Sequence, residues 1–280
     1  RLPMVAANPK ERVIAINKQI VALGRERRLA DALAQLDALY SQRLKPTAVT
    51  FNVLIAAAAR CGDNACSASL LKRMCGEGLQ PNVITFASAL KGLCLSGDFD
   101  RADGLLADME GAGVAPNARV CTAFLRACMM WGEVSRVLPF VQRMASRWKL
   151  PLDGTSIEYA GRALCMGLMV VEAEALLAQR QAEVSALPHY LQQQQQPTSA
   201  LNIAMAEAHA VLGDHEQAGE HLYRAERRMA SGIDSRLHAD RDETDLDGEA
   251  LRSFLRHREE ETGRELWPRG RWPATPRGGD

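Results

Sequence analysis

The sequence holds no apolar run of about 18 residues, the length a membrane-spanning helix needs, so no membrane partner is expected. Residues 1–8 also lack the apolar centre of a secretory signal. Net charge is missing too: 34 basic side chains balance 34 acidic ones, which removes whole-chain attraction to a polyanion and makes any contact with nucleic acid local. Aromatics are sparse, at 5%. The seven cysteines include no C-x-x-C pair, and Cys94, Cys128 and Cys165 fall inside apolar helical pattern. Buried free thiols in a reducing compartment are therefore expected, with neither disulfides nor a metal site. Glycine-rich phosphate loops and Ser-His-Asp constellations are absent, so neither a cofactor nor a small-molecule substrate is expected. The chain opens at Arg1 rather than Met, which is compatible with removal of a targeting peptide.

What the chain does contain is a period. Pro46, Pro81, Pro116 and Pro151 recur every 35 residues, as do Gly62, Gly97, Gly132 and Gly167, and as do Met74, Met109 and Met144. Three residue types holding one phase mark a repeat array. Within residues 82–116, apolar residues at helical spacing run from Val83 to a stop at Gly97. Asp98 then opens a second helix with Phe99, Ala102, Leu105, Leu106 and Met109 on one stripe. Each unit is thus a helical hairpin that cannot bury its apolar faces alone. Stacking gives an all-α, right-handed α-solenoid, with small residues such as Ala57, Ala102 and Ala127 allowing close helix approach.

The segments P-T-A-V-T-F-N-V-L-I-A-A-A-A-R-C-G from Pro46 and P-N-V-I-T-F-A-S-A-L-K-G-L-C-L-S-G from Pro81 resemble the pentatricopeptide repeat family. Phasing places repeats at 13–47, 48–82, 83–117, 118–152 and 153–187, after a 1–12 extension, with the first and last degenerate. The resemblance implies that the first helices line an RNA-binding face. Each repeat then reads one base through its fifth and last residues while its second residue packs on the base plane. Those pairs are Asn17 with Thr47, Asn52 with Asn82, Ala87 with Asn117, Thr122 with Leu152, and Ile157 with Leu187. Asn52 with Asn82 implies a pyrimidine, and the apolar members of the other pairs cannot read a base edge. Ile14, Val49 and Ile84 suit the packing role, whereas Arg119 and Gly154 do not. Arg25 and Arg60 match the family's phosphate-binding position near the end of the first helix, and Leu95, Met130 and Cys165 depart from it. Each asparagine has a plainer alternative as a helix cap, and each arginine as a solvated residue.

Charge is uneven along the chain. Residues 1–47 carry nine basic and four acidic side chains, residues 118–152 six and one, and residues 199–246 five and ten, so phosphates would favour the first and fourth repeats. Past Leu187 the phase is lost. Residues 188–198 form a glutamine-rich insertion, and residues 199–232 resemble a tetratricopeptide hairpin, a unit used mainly for protein contacts. Residues 233–265 read as an acidic linker and a charged helix, and 266–280 as an extended tail in which Trp267, Arg269, Arg271 and Trp272 suit partner binding. His257-Arg258-Glu259 lacks the P-C-x-x-C a zinc deaminase requires. His209, His215 and His221, six apart, are expected on different faces as ordinary surface or core residues.

These readings point to binding rather than catalysis. The expected function is a structural subunit of an organellar ribosome or similar large ribonucleoprotein, touching single-stranded or ribosomal RNA through the N-terminal repeats and other proteins through the C-terminal part. The alternatives are a free sequence-specific RNA processing or translation factor and a protein-only scaffold. The resemblance places the chain in the mitochondrial matrix, or alternatively the plastid stroma.

Overall fold

In the computed structural model, residues 8–185 and 197–230 are described; Trp267, Arg269, Arg271 and Trp272 of the tail, the glutamine run and Leu187 lie outside them. The described residues form helices α1 (Pro9–Arg25), α2 (Leu29–Ser41), α3 (Ala48–Cys61), α4 (Asn64–Gly76), α5 (Val83–Ser96), α6 (Phe99–Gly111), α7 (Ala118–Trp131), α8 (Val134–Ser146), α9 (Gly154–Met166), α10 (Val170–Ser185), α11 (Ser199–Leu212) and α12 (His215–Ala230). The all-α repeat fold inferred from the 35-residue period is the fold observed. Among the described residues no helix is long and apolar enough to cross a membrane.

The period sets where helices start and stop. Asn82 Oδ1 accepts from the backbone N–H groups of Ile84 at 2.9 Å and Thr85 at 3.1 Å, while Thr85 Oγ1 accepts from Asn82 N at 3.0 Å. Thr47 and Thr50 make the same reciprocal cap on α3. Such a cap stabilises a helix start by about 1 kcal/mol. At the other end Gly97 adopts φ +71°, a left-handed conformation that lets Asp98 N donate to Leu93 O at 3.0 Å. Asp98 then caps α6 through Arg101 N at 3.2 Å. Glycine and aspartate therefore divide one hairpin turn, glycine ending a helix and aspartate starting the next. The fifth repeat departs from this: Gly167 has φ −90° and Leu168 takes the left-handed conformation at φ +57°.

The described residues divide into two compact units, one of residues 8–127 with 140–151, the other of residues 128–139 with 152–185 and 197–230. In the first, Ile20, Leu36, Leu39, Phe51, Leu54, Ile55, Leu70 and Met74 form a continuous core. Each such side chain contributes about 1.5–3 kcal/mol on burial. First helices approach closely where small residues meet. A Cβ on Gly24 would lie 2.8 Å from Ala57 Cβ, and one on Gly92 would lie 2.9 Å from Ala59 Cβ. Further along, Phe99, Phe124, Phe140 and Trp148 make a chain of ring contacts with centroids 5.8, 4.3 and 5.4 Å apart. Glu110 is fixed beside it by Trp148 Nε1 at 2.5 Å, Arg143 Nη2 at 3.0 Å and Arg147 Nη2 at 2.7 Å. Burial works to raise the Glu110 pKa, but these donors outweigh it and the net shift is downward.

In the second unit, Ile203, Ala206, Leu222 and Ala225 form the core of the terminal hairpin. Leu201 fills the space beside Gly161, and Thr198 donates its hydroxyl to Glu158. All seven cysteines are free, and Cys94, Cys121, Cys128 and Cys165 are buried. Burial pushes the thiols of Cys94 and Cys165 up to about 12.

Candidate nucleic-acid interface

The second residue of each of the first three repeats is an exposed aliphatic: Ile14 on α1 is 55% exposed, Val49 on α3 56% and Ile84 on α5 64%. Water is a poor surrounding for three β-branched side chains recurring at one repeat position, and neighbouring core residues do not cover them. The fifth residues lie deeper. Asn17 and Asn52 are 9% and 8% exposed. Asn52 Oδ1 accepts from Thr85 Oγ1 at 2.6 Å, and Thr85 Oγ1 also lies 3.2 Å from Asn82 Oδ1. One hydroxyl therefore links the fifth residue of the second repeat to its last. With both side-chain oxygens committed, each amide has its NH2 group left to offer. In the first repeat the corresponding hydroxyl, that of Thr50, lies 3.2 Å from Thr47 Oγ1, and Asn17 Oδ1 is buried without a hydrogen-bond partner.

The last residues of the first three repeats act as helix caps, whereas Leu152, last in the fourth, leaves the cap of α9 to Asp153. Thr47 and Asn82 cap α3 and α5, and Asn117 Oδ1 accepts from Val120 N at 3.1 Å at the start of α7. Thr122 Oγ1 donates to Ala118 O at 2.8 Å within its own helix. Ile157 is buried in the second unit. Of the candidate arginines, Arg25 is exposed in the last turn of α1, whereas Arg60 is half-buried and its Nε donates to Gly24 O at 3.0 Å. Arg60 thus closes the C-terminal end of α1 from the neighbouring helix.

Two features escaped a reading by repeat. Thr85 orients the amides of Asn52 and Asn82, whereas its counterpart Thr50 meets Thr47 rather than Asn17, and their trace in sequence is the threonine-phenylalanine pair in the first turn of both helices. Charge is segregated by helix rather than by repeat. Helices α3, α5 and α7 contain Arg60, Lys91, Arg119 and Arg126 and no Asp or Glu, whereas α6 alone carries Asp100, Asp103, Asp108 and Glu110. The excess positive charge of the fourth repeat is partly spent internally, since Arg143 and Arg147 pair with Glu110 and Arg136 with Glu133 at 3.2 Å.

The family profile described as the pentacotripeptide-repeat region of PRORP matches residues 14–155. No curated protein matches the chain. Among solved structures, the pentatricopeptide repeat protein PPR10 from maize is 21% identical with a TM-score of 0.55, over 75% of this chain and 29% of that one. PPR10 in complex with an 18-nt psaJ RNA element is 18% identical with a TM-score of 0.54, over 90% and 34%. The PPR domain of Arabidopsis thaliana protein-only RNase P 1, in complex with tRNA, is 13% identical with a TM-score of 0.52, over 66% and 95%. The chain thus spans about a third of the PPR10 chain, and at these identities the likeness is one of fold. With the profile covering half of the sequence and the 35-residue hairpins now seen as helices, the chain belongs to the pentatricopeptide repeat family.

Proposed function

We propose that the chain binds single-stranded RNA, without catalysing its cleavage, along the first helices of its N-terminal unit. The observation that carries this is the exposed row Ile14, Val49 and Ile84, with the carboxylate-free helices α3 and α5 behind two of its members. Aliphatic faces between bases supply contact without sequence preference, and nearby cations attract phosphate. Asn52 and Asn82 add a local preference for a pyrimidine, whose carbonyl oxygens accept from their NH2 groups. With one fully polar pair the preference is mild. Asn17, Thr47, Asn117 and Thr122 hold the corresponding positions in the flanking repeats, and Arg25 the phosphate position.

One complete reading pair among five repeats suits a subunit held by many contacts better than a free factor. The finer proposal is a structural subunit of an organellar ribosome or comparable ribonucleoprotein in the mitochondrial matrix, with the plastid stroma as the alternative. The C-terminal hairpin and Trp267, Arg269, Arg271 and Trp272 would face protein neighbours. A second reading, a free RNA processing factor, is supported by the profile match to the repeat region of PRORP. Sizing an organellar lysate with and without ribonuclease separates them. Co-migration with a ribosomal subunit supports the first reading, a light RNA-dependent complex the second, and a ribonuclease-insensitive complex free of ribosomal RNA contradicts both.

A further inference from the structure

The second unit brings together two histidines that their sequence spacing sets apart. His209 on α11 and His221 on α12 stack with ring centroids 5.5 Å apart and planes 16° from parallel. Glu174 on α10 reaches the same point, its Oε1 3.1 Å from His209 Nε2. A ring nitrogen of each histidine and a carboxylate oxygen of Glu174 all lie within 4.8 Å of one another. Both imidazoles are buried and Glu174 is half-exposed, so the group opens to solvent on the carboxylate side.

The surrounding hydrogen bonds determine which nitrogens carry lone pairs. Asn202 Nδ2 donates to Pro197 O at 3.3 Å and Thr198 O at 3.0 Å, which turns its Oδ1 toward His221 Nδ1 at 3.2 Å. An amide oxygen only accepts, so Nδ1 of His221 carries the proton and Nε2 keeps the lone pair. Asp214 is held in place by capping α12, its Oδ1 accepting from Gln217 N at 3.2 Å. Its Oδ2 lies 3.7 Å from His209 Nδ1. Without a metal, His209 Nε2–H donates to Glu174 Oε1; binding a cation moves that proton to Nδ1, beside Asp214, and frees the Nε2 lone pair, the arrangement that metal-binding histidines share. Arg224, one turn from His221, is itself paired with Glu220 at 2.9 Å. A hydrogen bond between His209 and Glu174 needs no second imidazole; the second ring adds the donor atom that a metal uses.

We propose that Glu174, His209 and His221 form a binding site for a divalent transition-metal ion of the zinc type, with Nε2 of each imidazole and one Glu174 oxygen as ligands and water completing the shell. Two nitrogens and a carboxylate suit zinc's tetrahedral preference at about 2.0–2.2 Å, which places ligand atoms about 3.3–3.5 Å apart. The pair His209 and Glu174 stands close to that spacing at 3.1 Å, and small shifts of the His221 ring and of the half-exposed Glu174 side chain would bring the three ligand atoms, now within 4.8 Å of one another, into range. The ion would clamp α10 to the α11 and α12 hairpin, tying three helices of the second unit.

The test uses the full chain, stripped with a chelator and titrated with zinc against a metal indicator. The expected result is one equivalent bound with a rise in Tm, an affinity at least about tenfold lower in Glu174→Gln, and further loss in His221→Gln. Glu174→Gln keeps a hydrogen-bond acceptor for His209 on a half-exposed residue, so it reports on the site even if His221→Gln does not fold. Imidazole nitrogen NMR should show Nε2 of both rings moving on zinc addition while the Nδ1–H of His221 persists. No stoichiometric uptake, or equal affinity in wild type and Glu174→Gln, as adventitious binding at His189, His238 or His257 would give, overturns the proposal.

Discussion

Thr85 donates its hydroxyl to Asn52 Oδ1 at 2.6 Å, joining the first turn of α5 to the reading position of α3. The same oxygen accepts from Asn82 N, so one side chain serves both the helix start and the interface. Replacing Thr85 by Val keeps the shape and removes both interactions. We expect a loss of about 1–3 kcal/mol in chemical unfolding, from the cap and from the buried Asn52 oxygen left without a donor. The pyrimidine preference should disappear while affinity for mixed-sequence RNA stays within a few fold. A preference that survives would show that Thr85 does not orient Asn52.

The two candidate phosphate arginines should behave differently. Arg25→Ala should leave the melting temperature unchanged, because Arg25 is exposed, and should lower the slope of log affinity against log salt by about 0.7. Arg60→Ala should cost stability by about 1 kcal/mol or more, since Gly24 O loses its side-chain donor. Equal salt slopes in wild type and Arg25→Ala, measured by fluorescence anisotropy, would remove Arg25 from the interface.

Backbone conformation gives a pair of opposite expectations. Gly97 lies at φ +71°, so Gly97→Val should destabilise by about 1–2 kcal/mol or more. Arg43 holds a similar conformation at φ +53° with an exposed side chain, so Arg43→Gly should stabilise by up to about 1 kcal/mol. Denaturant midpoints check both signs.

Thiol chemistry tests the core. Burial raises the pKa of Cys94 and Cys165 to about 12, so both stay protonated in the folded chain well above the usual thiol range. At pH 8 an alkylating reagent should label exposed Cys75 first and leave Cys94, Cys121, Cys128 and Cys165 until the protein unfolds. The linkage has one sign: the unfolded thiols ionise near pH 9 and the folded ones do not, so stability falls as pH rises from about 9 toward 12. Labelling of Cys94 at the rate of Cys75 would contradict the packing.

The hairpins were legible because prolines, glycines and caps repeat with the structural unit, and each acts through local backbone chemistry. Contacts between repeats were not. That Thr85 reaches Asn52 rather than Asn82 alone depends on how α5 lies against α3, which no spacing within one repeat encodes. The end of α9 misled in the same way. Gly167 recurs in phase, yet Leu168 takes the left-handed turn and Val134 fills the space beside Gly167, where a Cβ would lie 2.7 Å away. The six-residue spacing of His209, His215 and His221 implies different faces, but the Gly213 turn folds α12 back on α11 and stacks the rings of His209 and His221.

RNA binding as proposed depends on Ile14, Val49 and Ile84 meeting the bases. The most direct measurement is the affinity of the full chain for a single-stranded pyrimidine-rich RNA, compared with the triple variant Ile14→Ser, Val49→Ser, Ile84→Ser. All three side chains are more than half exposed, so the variant should melt as wild type does. Binding should be at least about tenfold weaker, from the loss of three apolar contacts with bases. Equal affinity in a variant of unchanged stability would contradict that contact.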